Sequence, residues 1–457
     1  MSTELKSFFQ DLQKRGIIAN YANLDNFYQL KPEEKVIYLG VDCTSESLHI
    51  GHLFLYFQTI RFAQAGFTVL LILGGATSKI GDPSDKDKER PLLAVNQIED
   101  YQTKIKSQLE RILIKPKKVE KVNFSPLEQF YSDNPQLLSS IYQILNLNSL
   151  ESKEKQWENY LSYIWTWGTQ NNFQILNNQD WLEKLSFIDF LRQTGKYLTV
   201  AYLSNKETIK KRIDTGLSFL EFSYPLIQAY DFFHLYENYH CHGQLGGSDQ
   251  WGNLTTGLKL IRAIYPENRT FAFTFKLLTN KEGKKYSKSE KKTLRLDGKK
   301  KELVDFFLNL SDEEVQAFIR QLTFLEESQI RELSKIPSRL RVLQKIMVEL
   351  VWFLNYGEVE SLKSVLEIRK ERVPSGWRRK KREEEKYKKV LEVFLQKKKE
   401  LEKKVWWLRS QRESLKIQRL ETEVKKIEEE LIKEERKFSE LEYYVKDRYY
   451  WWDFEEN

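Results

Sequence analysis

At 457 residues with 40% hydrophobic content, the chain is long enough to bury more than one core, so it reads as a multidomain soluble protein. No apolar run reaches the roughly eighteen residues of a membrane span, and the two cysteines, Cys43 and Cys241, stand far apart outside any Cys-x-x-Cys pattern, as suits a reducing cytoplasm. Lys plus Arg exceed Asp plus Glu by 74 to 66, a surplus of +8 that permits a polyanionic partner without demanding one.

The N-terminal stretch MSTELKSFFQDLQKRGII spaces its apolar residues among charges, which predicts an amphipathic helix rather than a signal or transit peptide. Lys35 to Asp42, KVIYLGVD, has strand character; GHLFLYFQTIRFAQAG carries helical periodicity ended by Gly66; TVLLILGG is a second buried strand. Strand, helix and strand in that order predict a parallel-sheet, doubly wound α/β domain. Residues 115–172 are rich in Asn, Gln, Ser and Tyr without a clear period and read as an insertion. The α/β pattern resumes at FQILNNQDW and runs to about Phe275; a lysine-rich loop then leads to a helical region over 301–364. From Trp377 to Asn457 there is neither glycine nor proline, which predicts a helical tail.

Within SLHIGHL, Ser47 to Leu53, His49 and His52 lie three apart, on one face of a helix that starts just after a strand. They could ligate a metal, pack as a surface pair, or donate to a shared anion. A zinc site needs further ligands, and no nearby Cys, His or Asp has suitable spacing. A helix start with unsatisfied N–H groups, and Gly51 allowing close approach, favours a phosphate pocket.

These residues carry a resemblance. DCTSESLHIGHL resembles the HIGH motif of class I aminoacyl-tRNA synthetases, and KKYSKSEKK, Lys284 to Lys292, resembles their KMSKS motif. The stretches between, GGATSKIGDPS, NNQDW, EFSYPLIQAYDF and GQLGGSDQWGN, are similar to the bacterial-type tyrosyl-tRNA synthetase family. Similarity runs from about residue 5 to about residue 365, interrupted by the insertion. It implies a Rossmann-like catalytic domain over 1–275, a KMSKS-like loop over 276–300, an α-helical anticodon-side domain over 301–374, and a tail over 375–457 in place of an S4-type domain. The implied reaction activates L-tyrosine with ATP, carried with Mg²⁺ and no tightly held protein metal, and transfers it to tRNA(Tyr). A homodimer is implied too.

The resemblance also assigns roles. His49, His52 and Thr44 would stabilise the ATP phosphates as the transition state forms, and Lys285 and Lys288, in a loop with Gly283, would neutralise pyrophosphate. Taken alone those lysines read as a solvated loop, since 10 of the residues from Lys281 to Lys301 are basic against 3 acids. Lys86 and Arg90 match a second basic pair facing the leaving group. Gly40, Asp42, Gly51, Gly247 and Asp249 complete the ATP site, Asp249 toward the ribose. Tyr224, Gln228 and Asp231 fall at i, i+4 and i+7 of one helix. By resemblance Asp231 and Tyr38 take the substrate phenol, Tyr224, Gln228 and Asp82 take its ammonium, and Gln250 supports the amino acid or α-phosphate. Phenylalanine would leave such phenol-pairing groups without partners, a discrimination for which this family is itself the reference case.

Several features depart from the family. Cys43 replaces a usual proline and reads as a small buried hydrophobe. The 115–172 insertion falls where relatives have a region near the dimer interface. His240, Cys241 and His242 are too close in sequence to chelate together and read as packing near a turn. In the tail, Ile417, Leu420, Val424, Ile427, Leu431, Phe438, Leu441 and Val445 form one seam, and Tyr387, Phe394, Leu401, Leu408 and Leu415 another out of register with it. A break near Arg409 to Lys416, with charges of 17 minus 7 (+10) before Leu420 and 7 minus 13 (−6) after it, predicts an antiparallel hairpin. A solvated charged helix and an arm touching tRNA phosphates are equally open readings. Rival functions are a non-catalytic RNA-binding protein of the same fold and the tryptophanyl enzyme; intact HIGH and KMSKS-like motifs argue against the first, Tyr38 with Asp231 against the second.

Overall fold

A computed structural model describes residues 3–84, 92–114, 140–141, 143–144, 172–213, 216–278, 294–298, 300–336 and 341–356, and a few positions between 403 and 433. The chain divides into two compact units, residues 1–369 and 370–457. In the second, residues 403, 422, 425, 426, 428–430, 432 and 433 are helical. The tail seams and hairpin, most of the 115–172 insertion and the lysine-rich loop lie outside the described residues.

The first unit is built on a six-stranded sheet. Its strands are β1 (Ile18–Ala22), β2 (Val36–Asp42), β3 (Thr68–Gly74), β4 (Phe173–Asn177), β5 (Gly243–Gly247) and β6 (Phe271–Phe275), in the order β1-β6-β5-β2-β3-β4. All neighbours pair in parallel except the edge pair β1 and β6. The expected strand-helix-strand unit is present as β2, α1 (Ile50–Gln64) and β3. Val69 to Leu73 are buried without alternation, as expected for a strand covered on both faces. Helix α1 is likewise buried around most of its circumference, including Phe54, Tyr56, Phe57 and Phe62. It stops where Gly66 takes φ of +84°, a left-handed value that favours glycine.

Strand β5 reads GQLGG, a poor strand sequence by propensity. Packing accounts for it: a Cβ on Gly243 would lie 2.3 Å from Phe271 Cζ and 2.6 Å from Ile37 Cγ2. Strand β1, missed in the sequence because IANYA shows no clean alternation, pairs antiparallel at the sheet edge.

β3 and β5 flank β2 on opposite sides, so the chain reverses its direction of travel across the sheet at β2. Crevices outside the carboxyl ends of strands at such a reversal are where ligands bind in open α/β sheets. The helix Phe219–Tyr239 covers this region, and Pro225 stands within its length.

The helical region follows as Lys300–Leu308, Asp312–Leu322, Glu327–Lys335 and Val342–Tyr356. Ser311 and Glu314 form a capping box, with Ser311 N–H donating to Glu314 Oε2 at 2.9 Å. Arg61 of α1 joins this region to the sheet domain. It is buried, its guanidinium lies over Phe57 and Phe324, and it donates to the Arg320 and Thr323 carbonyls at a helix C-terminus.

Candidate active site

Three strand ends and one helix converge on a buried polar cluster. Asp42, at the end of β2, accepts from Thr77 Oγ1 at 2.7 Å and from the Tyr224 hydroxyl at 2.9 Å. Gly74, at the end of β3, makes room for this: a Cβ there would lie 2.3 Å from Asp42 Oδ1 and 2.4 Å from Thr77 Oγ1. Beyond the end of β4, Asn178 donates to Thr77 Oγ1 at 3.1 Å and to Asp231 Oδ2 at 3.0 Å. Trp181 Nε1 donates to Asp231 Oδ1 at 2.7 Å. Both Asp231 oxygens therefore accept from a protein N–H.

Tyr38 stands in β2 beside this cluster, its ring centroid 5.4 Å from that of Phe232. It is buried, and among the described residues its hydroxyl has no hydrogen-bond partner. Burial, and next the nearby Asp231 charge, push its phenol well above the usual range. Burial pushes Asp231 up to about 7; the Asn178 and Trp181 hydrogen bonds pull against it, and Asp42 adds to it. A buried phenol hydroxyl next to a buried carboxylate is a pair that a substrate hydroxyl can satisfy, accepting from one and donating to the other.

A second group sits near the end of β5. Gln250 Nε2 donates to Asp82 Oδ2 at 2.6 Å, and Asn253 donates to Gln250 Oε1 at 3.0 Å. Asp249 is raised to about 6, chiefly by burial and next by Asp82. Gly247 is required by packing as well as by access, since a Cβ would lie 2.5 Å from Asp249 Oδ1 and 2.8 Å from Leu277 Cδ2. Burial raises Tyr224, and the charges of Asp42 and then Asp82 add to the rise, which ties the two groups together. Gln228 is half-buried, four residues after Tyr224 on the same helix. Gly40 is exposed on β2, where a Cβ would meet nothing nearer than the Ile72 carbonyl at 3.9 Å.

The histidines occupy the start of α1. His49 is its N-cap and accepts the Gly51 N–H on Nδ1 at 3.1 Å, while His52 Nδ1 accepts the His49 N–H at 3.2 Å. With each Nδ1 acting as an acceptor, each neutral ring carries its proton on Nε2, an assignment made from the hydrogen bonding. The rings stack with centroids 3.8 Å apart. Two Nε2–H groups side by side suit adjacent oxygens of one polyphosphate. Thr44 is half-buried between this pair and Asp42 in sequence. Among the described residues no group of three or more His, Cys, Asp or Glu is arranged to hold a metal ion.

The region 31–364 matches the family model of class I tRNA synthetases (W and Y). The chain belongs to that family. It is 37% identical over 366 residues to a tyrosine–tRNA ligase of Geobacillus stearothermophilus, covering 78% of this chain and 75% of the relative. A tyrosine–tRNA ligase of Staphylococcus carnosus is 34% identical over 365 residues, with 78% and 74% covered. Among solved structures, a C-terminally truncated mitochondrial tyrosyl-tRNA synthetase of Aspergillus nidulans superposes with a TM-score of 0.59 at 25% identity, covering 80% of this chain and 96% of that one.

Of the residues expected from sequence, Tyr38, Asp42, Asp82, Tyr224, Asp231, Asp249 and Gln250 fall in the two linked groups, and His49, His52 and Gly51 at the α1 start. Lys86, Arg90, Lys285 and Lys288 lie outside the described residues. Asp42 was expected at ATP; its carboxylate is held by Tyr224 and Thr77. Sequence reasoning missed Thr77, Asn178, Trp181 and Gln244. The last is buried, and neither amide atom has a partner among the described residues. Asn178 and Trp181 stood in the NNQDW stretch, but nothing in the sequence pointed their side chains at Asp231.

The expected packing roles of Cys43, Cys241 and His242 hold, whereas His240 is exposed. Cys43 is buried, its N–H donating to Ser78 Oγ at 2.6 Å. His240 takes φ of +53° as the C-cap of the long helix, and Cys241 and His242 are buried beyond it. Burial raises the Cys241 thiol and lowers His242. No helix among the described residues is long and apolar enough to cross a membrane.

Proposed function

We propose that this chain is a tyrosine–tRNA ligase. It activates L-tyrosine with ATP, releasing pyrophosphate, and passes the tyrosyl group to the 3′ end of tRNA(Tyr). The observation that carries the choice of amino acid is the buried Tyr38 hydroxyl beside the doubly hydrogen-bonded Asp231 carboxylate. An indole offers one N–H and no acceptor, so it would satisfy Asp231 and leave Tyr38 without an acceptor; a phenol serves both. Tyr224, Asp82 and Gln228 take the substrate ammonium, which draws on the carboxylates of the cluster for charge balance.

ATP enters with Mg²⁺ on its own phosphates. His49 and His52 donate from Nε2 to those phosphates as the α-phosphorus is attacked, with Thr44 alongside. Lys86, Arg90, Lys285 and Lys288 neutralise the departing pyrophosphate. Gly40, Gly51 and Gly247 let the nucleotide approach backbone, and Asp249 accepts from ribose hydroxyls. The helices of 301–374 serve the anticodon side of the tRNA. A homodimer is supported by the large apolar side chains exposed between residues 187 and 219, among them Phe187, Ile188, Val200 and Phe219.

Calorimetry tests the phenol assignment. Asp231→Ala should abolish measurable tyrosine binding and leave ATP affinity within about twofold. Normal tyrosine binding by that variant would remove Asp231 from the pocket.

A further inference from the structure

The segment leading into the histidine pair, Glu46–Leu48, is gripped from two sides. On one side lies Gln108, near the end of the helix Val95–Leu109. Its Oε1 accepts the Leu48 N–H at 2.9 Å and lies 3.4 Å from Ser47 Oγ, and its Nε2 reaches the Glu46 carbonyl at 3.4 Å. On the other side lie residues 294–297. Leu296 N–H donates to the Leu48 carbonyl at 2.9 Å, Ile50 N–H donates to the Leu294 carbonyl at 3.0 Å, and Arg295 Nη2 meets Glu46 Oε1 at 2.7 Å.

Beside the two backbone hydrogen bonds to residues 294 and 296, the side chains of the two grips differ in what they contribute. Arg295 and Glu46 are about half exposed, at 49% and 45%, so solvent screens their ion pair. Gln108 is 5% exposed. Removing its acceptor leaves the Leu48 N–H buried without that partner, and a buried polar group left unmatched costs far more than a surface ion pair. The next residue is His49, whose N–H holds His52 and whose ring caps α1.

We propose that Gln108 is a positioning residue for the histidine pair. It fixes the backbone at Leu48, and through it the two Nε2–H groups, without touching substrate. The inference rests on the reading of His49 and His52 as phosphate donors. A displacement on the order of 1 Å at such donors lowers rate by up to about 10²-fold while leaving remote binding intact.

The test is a double-mutant cycle between Gln108→Met and His52→Ala in the full-length protein, read by single-turnover tyrosyl-adenylate formation and by tyrosine affinity. Gln108→Met should slow activation about tenfold with tyrosine affinity unchanged, and should cost less, about threefold, when His52 is already alanine and only the His49 donor is left to displace. If His52→Ala alone activates at the normal rate, the histidine reading falls and this inference with it. If His52→Ala is slow but Gln108→Met is normal, or costs the same in both backgrounds, only the Gln108 assignment is overturned.

Discussion

The indole N–H of Trp181 reaches Asp231 Oδ1 across 2.7 Å, in a site where both groups are buried. That bond and the Asn178 amide oppose the burial that pushes the Asp231 carboxyl up to about 7. The folded value lies above the unfolded one, near 3.9. The folded state therefore binds more protons between those values, and Asp231's contribution to stability is present at low pH and lost as pH rises toward 7. Tyrosine binding runs the other way if the phenol donates to the ionised carboxylate.

Tyrosine affinity measured by calorimetry should accordingly strengthen as pH rises from 6 to 8. Asp231→Asn should flatten that dependence. Trp181→Phe should move the midpoint to higher pH, because one hydrogen bond to the charged form is gone. A wild-type affinity independent of pH across this range would mean that the carboxyl does not titrate on binding.

The histidine reading makes a kinetic prediction. His52→Ala or Lys288→Ala should slow tyrosyl-adenylate formation by about 10²- to 10³-fold, by analogy with removing an oxyanion donor. Tyrosine affinity should barely change, since donors that act on the transition state alter rate more than ground-state binding. Rapid-quench measurement of a single turnover checks this, and an unaltered rate would place these residues outside the chemistry.

How far the sequence could be read followed from how local each cause was. The β2-α1-β3 unit was legible because its apolar runs and Gly66 act within a few residues of chain. The His49 and His52 placement was legible for the same reason: a helix start after a strand is a local event. Asp231 was assigned by resemblance, its helical spacing only putting it on one face with Tyr224, and its partners Asn178 and Trp181 come from a strand end some fifty residues earlier in the chain. No periodicity reports such a pairing. Gln108 was invisible for the same reason, and β5 was hidden because its glycines answer to distant packing, Gly243 to Phe271 and Ile37 and Gly247 to Leu277, rather than to strand propensity.

The tail supplies a prediction from its charge alone. Truncation after Pro374 should leave tyrosine-dependent pyrophosphate exchange near wild type, because every residue assigned to activation precedes residue 300. If the +10 arm from Trp377 to Arg419 touches tRNA phosphates, its removal should raise the apparent KM for tRNA. The logarithmic salt slope of tRNA affinity should also fall by about 0.7 to 0.9 for each phosphate that the arm had neutralised. Equal charging kinetics and equal slopes for full-length and truncated proteins would leave the arm without an RNA role.

The central claim is that this chain activates tyrosine. ATP–pyrophosphate exchange measured separately with tyrosine, tryptophan and phenylalanine tests it most directly. Exchange should depend on tyrosine, with phenylalanine and tryptophan close to background, since neither satisfies both the Tyr38 hydroxyl and the Asp231 carboxylate. Exchange driven by tryptophan, or none with any of the three amino acids, would contradict it.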